Sequence, residues 1–393
     1  MKAPSAFALY RAPVIEPGQL GVYRDAFAAR AFPATPPTES EQVVGFVDAV
    51  EMARDLDVYR ATVGESIVLG VRVDSKTIPP ALLALETERA CTEWLAANGR
   101  AKVPAAIKRE LKERAVQELL RRMPAVPSHA ALIYDHVDGM VTVLGSGAAA
   151  KAAHGLWREA LDGVVPDCGL RPLTVIDRIS HHLAPEHYGH LTGDETCADP
   201  EHRPVVGVLP APGRGGEFLV WLWHRSESAS GELANAGRTD LRVAWLAERT
   251  VGLADGETGK RRMSVRATTA AEDPAVRTAL LDGHTVDGLG LHLQRHEGGD
   301  IGTVDLCVDR GDLRIGSVKL PRSVSAGDDD VAQLLVYRDA LHEVHSAVAE
   351  VLLAWATGPG SRDAIGQSKA SLERWLSVEL QAWLAEHGGA DAG

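Results

Sequence analysis

The segment from Ser66 to Leu144 constrains this chain most, because it sets a long charged excursion between stretches that read as neighbouring strands. Ser66 to Val73 (SIVLGVRV) is rich in β-branched and apolar residues, the composition of a strand. Ile78-Pro79-Pro80 then breaks the pattern, and Ala81 to Asn98 carries helix formers with one apolar face. A second helix is expected from about Pro104 to Arg122. His129 to Asp135 and Met140 to Leu144 follow as a hairpin around Val137-Asp138-Gly139, where Asp-Gly is a turn signal. Between Arg100 and Arg122 lie eight basic residues (Arg100, Lys102, Lys108, Arg109, Lys112, Arg114, Arg121, Arg122) against three acids (Glu110, Glu113, Glu118). The excursion is therefore +5 inside a chain of net charge -13, and a basic arm on an acidic protein suggests a polyanion contact. The plainer account is a solvated helix face with pairs at i,i+4 such as Arg109–Glu113.

The expected fold class is α+β, with antiparallel sheets, flanking helices, the protruding basic arm at about 78–128 and a C-terminal helical segment. Three regions are expected. Residues 1–165 form an α+β domain, with helical periods over Gly18–Ala31 and Ala148–Leu161. Residues 166–330 form a second α+β domain with a loop-rich insertion at about 183–248 and three late strands, Val286–Gln294, Gly302–Val308 and Gly311–Leu320. Residues 331–393 hold two helices, Val331–Thr357 and Ala370–His387, and a tail. Phe218 to Trp223 (FLVWLW) is apolar throughout, so periodicity does not choose between strand and helix. No apolar run is long enough to span a membrane, and MKAPSAFALYRAP lacks a signal-peptide core. Cys91, Cys168, Cys197 and Cys307 are scattered, as expected of reduced thiols in a cytoplasmic protein.

Other constellations carry weaker chemical signals. His181, His182, His187, His190, Cys197 and His202, with Asp194 and Glu195, form the most metal-like group; loose spacing favours a structural loop, and no cofactor is expected. Asp305, Asp309 and Asp312, followed by Lys319, loosely mimic the carboxylates of a metal-dependent nuclease, but Asp309-Arg310-Gly311-Asp312 reads as a turn, and no catalytic residue is assigned. Gly213-Arg214-Gly215-Gly216 lacks the Gly-Lys-Ser/Thr ending of a phosphate loop. Trp221 and Trp223 are expected in the core rather than under stacked bases. A second basic cluster runs from Lys260 to Arg266, with Lys319 and Arg322 as its expected extension.

An ordered series of features resembles the RdgC family of bacterial recombination-associated DNA-binding proteins. It comprises the Ala8–Arg11 strand, Ala31-Phe32-Pro33 before Glu41–Val47, the Ser75–Pro79 step, the Gly99-Arg100 basic helix and the Tyr134-Asp135 hairpin. The resemblance implies an arm at the tip of a curved subunit and a homodimer closing as a ring around double-stranded DNA. It further implies sequence-nonspecific binding that limits access of a RecA-type recombinase, with a nucleoid location and no membrane partner. Carried over, it assigns DNA contact to Lys102, Lys108, Arg109, Lys112, Arg121 and Arg122, and Arg261, Arg262 and Arg266 are added from the second cluster. The family also carries an exonuclease label. Relatives often place phenylalanine in the segment after the arm helix, regarded as a tip, where this chain has Met123 to Val126. A factor that keeps the fold but binds protein instead of DNA is the other alternative.

Overall fold

The computed structural model describes residues 4–179 except 5, 17, 38, 39 and 166. Beyond them it describes 215–228, 241–244, 251–255, 262–265, 278–279, 284–295, 299–309, 312–324 and 329–358, with scattered residues from 367 to 386. The chain divides into one unit of Ala8–Arg171 and another of Pro172–Gly393 with Met1–Phe7. Helices and antiparallel sheets in both make this an α+β protein.

The first unit is built on β1 (Phe7–Arg11), α1 (Leu20–Ala28), β2 (Gln42–Val47), β3 (Thr62–Val63), β4 (Ser66–Ser75), α2 (Pro80–Asn98), α3 (Ala105–Arg122), β5 (Val126–Asp135), β6 (Met140–Leu144), α4 (Ala148–Leu161) and β7 (Arg171–Pro172). Its sheet has the order β2-β4-β5-β6-β1-β7, with β3 also on β4. Side chains alternate across the pleat, so Ile67, Leu69, Val71 and Val73 of β4 fall on one face with Leu132 and Tyr134 of β5 and Val141 and Val143 of β6. Helices α1 and α4 bring Phe27, Leu156 and Trp157 onto this layer. The opposite face is also buried at Val68, Ala131, Ile133 and Leu144, which explains why β4 reads as a continuous apolar run.

Gly70 marks a close approach on that second face. A Cβ there would lie 2.2 Å from the Asp48 carbonyl oxygen and 2.7 Å from His129 Nε2. The His129 ring also hydrogen-bonds this carbonyl from Nε2 at 3.3 Å. Gly70→Ala must push a backbone segment off the sheet and is expected to cost about 1–3 kcal/mol, read as a lower urea midpoint. An unchanged midpoint would mean that the 48–52 loop yields freely.

The second unit carries α5 (Val175–Ile179), α6 (Gly215–Ser228), β8 (Leu241–Ala244), β9 (Val251–Asp255), β10 (Arg262–Val265), β11 (His284–Arg295), β12 (Asp300–Asp309), β13 (Asp312–Lys319) and α7 (Asp330–Thr357). Its sheet runs β10-β9-β11-β12-β13, with β8 also on β11. Leu289, Leu291, Leu293, Val304, Leu306, Leu313 and Val318 are buried; α6 packs on β11 and β13, and α7 on β12. The FLVWLW run is helical, with all six residues buried and Phe218 meeting Trp355 at 5.6 Å. Helix α7 opens on Asp329, whose Oδ1 accepts the N–H groups of Val331 and Ala332. Among the described residues no helix is long and apolar enough to cross a membrane. The expected histidine cluster at 181–202 and most of the expected Ala370–His387 helix lie outside the described residues.

His345 sits inside the apolar stripe of α7 at 4 % exposure. Burial, helped by Arg178 of α5 and by His342, pulls its pKa from 6.5 down to about 3, against a hydrogen bond to the Leu173 backbone. Between those values the unfolded chain takes up a proton that the folded one refuses. Stability from this group is therefore complete above pH 6.5 and declines as pH falls, by up to about 1.4 kcal/mol per pH unit. Urea titrations at pH 7 and pH 5 should show wild type losing about 2 kcal/mol more than His345→Met over that interval. Parallel losses would show that His345 does not titrate below its ordinary range.

Candidate nucleic-acid interface

Residues 76–125 leave the sheet and return to it at adjacent positions, since Ser75 of β4 is the register partner of Val126 of β5. The excursion is a helical hairpin of α2 and α3 packed on each other. Pro79 and Pro80 start α2 at positions where a missing N–H costs nothing. Gly99, left-handed at φ 60°, ends it and begins the turn to Pro104. Thr87 is the buried residue of α2, and α3 buries Ala115, Leu119 and Leu120, all in its sheet-proximal half. The half of α3 nearer the turn carries only Ile107 and Leu111 part-buried, so this end of the hairpin projects into solvent.

The cations divide along the same line. Near the sheet, Arg121 and Arg122 both face Glu118, at 3.9 and 3.1 Å. Toward the turn, Lys102, Lys108, Arg109 and Lys112 are exposed and make no ion pair among the described residues. Glu113 does not pair with Arg109, although the i,i+4 spacing permits it. Arg114 is likewise exposed without an acid partner, and the Arg100 guanidinium lies 5.9 Å from the Trp94 ring. Lys108 and Lys112 follow one another along a single helix face, about 6 Å apart in rise. The outer end of the arm is therefore an open cationic surface, whereas at its base Glu118 offsets part of the charge.

Met123 to Val126 does not form a tip. Helix α3 runs from the turn back to the sheet, so this segment lies at the base of the arm, where Met123 N–H donates to the Leu119 carbonyl and Val126 begins β5. The end farthest along the hairpin is 99–104, between the helices.

In the second unit Arg262 lies on β10 opposite Ala254, while Arg261 and Arg266 lie outside the described residues. Lys319 and Arg322 are exposed. The candidate aspartates occupy separate register positions. Asp305 pairs in register with Ser317 and accepts its hydroxyl hydrogen bond, whereas Asp309 and Asp312 are register partners at the end of the β12–β13 hairpin. Four residues of strand separate Asp305 from Asp309 by about 13 Å, far beyond a shared cation's reach. Among the described residues no three His, Cys, Asp or Glu side chains gather as a metal site. Trp221 and Trp223 are buried in α6 and offer no face to a base.

A comparison with protein families matches residues 8–185 to the model described as "Putative exonuclease, RdgC". No curated protein matches the chain.

Proposed function

We propose, on the match of residues 8–185 to the RdgC family, that the chain binds double-stranded DNA through the outer end of its helical arm, without sequence preference. The observation that carries this reading is the split in the arm's charge. Lys102, Lys108, Arg109 and Lys112 are exposed and unneutralised in a protein of net charge -13. Each cation that reaches a phosphate releases condensed counterions, a gain indifferent to base sequence. Contacts to phosphates fix position without reading base edges, which is the sense in which the binding is nonspecific.

The chain acts as a homodimer whose two arms help close a ring, and closure slows dissociation beyond what charge alone provides. Its effect on homologous recombination is occlusion: bound duplex is withheld from a RecA-type recombinase at the nucleoid. This mechanism requires no catalytic residue.

The test is a fluorescence-anisotropy titration of a labelled duplex of about 30 base pairs across a salt series, with log K falling by about 0.9 per decade of salt for each phosphate contact. Micromolar or tighter binding that weakens steeply with salt supports the reading. No binding at low salt would overturn it in favour of a protein-binding role, and magnesium-dependent loss of the duplex would favour the nuclease.

A further inference from the structure

A lysine side chain links the arm to its sheet. Lys76 is the first residue after β4, and its backbone N–H donates to the Glu41 carbonyl beside β2 at 2.8 Å. Its ammonium crosses to α3 and donates to the Leu120 carbonyl at 2.7 Å. Leu120 lies in the last turn of that helix, where carbonyls lack partners within the helix. The cation also faces the negative end of the helix dipole. Leu119 and Leu120 are buried beside this contact, so it sits where α3 meets the body of the unit.

We propose that Lys76 is a positioning residue that sets the direction of the arm. Helix α3 has 18 residues and is therefore a lever of about 27 Å. A slack of about 10° at its base would move the far end of the helix by about 5 Å and Lys108, about 21 Å along it, by about 4 Å, comparable with the 3.4 Å rise between successive phosphates of a strand. Affinity therefore depends on a lysine that touches no phosphate. This consequence rests on the proposed DNA contact; the bracing itself does not.

Lys76→Met keeps the aliphatic stem and removes the ammonium, and Lys76→Arg is the conservative rescue. In the free protein, hydrogen exchange in the last turn of α3 should speed up about tenfold in Lys76→Met, stay near wild type in Lys76→Arg, and remain unchanged in the β4–β5 ladder, which reports on folding. With duplex, Lys76→Met should raise Kd about fivefold at unchanged salt slope, whereas Lys108→Ala lowers the slope by about one. Unchanged exchange in α3 would overturn the brace. Faster exchange with a slope reduced by one would make Lys76 a phosphate contact and overturn the positioning role. If wild type binds no duplex, the exchange comparison still decides the brace, and only the DNA reading fails.

Discussion

Replacing Lys108, Arg109 and Lys112 together by alanine is expected to weaken duplex binding by about 10²-fold near 0.15 M salt. The size follows from counterion release. A contact with slope of about 0.9 is worth roughly a factor of five at that salt relative to 1 M, and three contacts multiply to about 10². The salt slope should fall by about three at the same time, the signature of lost phosphate contacts. Alanine at Arg121 and Arg122 is the internal comparison. Both already face Glu118, so the double variant should lose less than about fivefold. Anisotropy titrations of the three proteins over a salt series measure both quantities. Equal losses from the two variants, or a triple variant with an unchanged slope, would contradict a contact at the outer end of the arm.

That difference between the two ends of α3 shows where the sequence was legible. The hairpin was readable because each part carries its own local signal: β-branched residues in β4, prolines before α2, a helical period through α3. Helix α4 was readable to the residue, since the Gly145-Ser146-Gly147 turn stops β6 before the Ala-rich run begins. Which cations stay open was not readable, because Arg109–Glu113 and Glu118–Arg122 have the same spacing and only the second pair forms. Placing Met123–Val126 at the base requires knowing that Ser75 and Val126 are register partners, a contact across 51 residues. FLVWLW defeated periodicity for a physical reason: a helix buried on every side has no polar stripe to reveal its period. His345 was hidden the other way, as one polar residue in an otherwise apolar stripe.

Trp157→Ala is expected to be the most destabilising single change in the unit that carries the arm. The indole is fully buried and touches three separate pieces of chain. Its ring lies 5.3 Å from Phe27 of α1 and 4.9 Å, edge-on, from Tyr134 of β5, and its Nε1–H donates to the Cys168 carbonyl at 2.8 Å. Truncation opens a cavity between helix and sheet and leaves a buried carbonyl unsatisfied, a loss of about 3–5 kcal/mol. Since whole domains are stable by about 5–15 kcal/mol, much of the unit's margin goes with it. Hydrogen exchange read at the paired amides of β4 and β5 isolates this unit, and protection there should drop by about 10²- to 10⁴-fold. Trp157→Phe keeps the two aromatic contacts and loses only the donor, so it should cost about 1–2 kcal/mol. The ladder it protects is the one whose end launches the arm. Trp157→Ala should therefore weaken duplex binding without removing a cation, and the salt slope of the remaining folded fraction should stay at its wild-type value. A loss of protection below about tenfold would mean that Phe27, Tyr134 and the Cys168 carbonyl are held by other contacts.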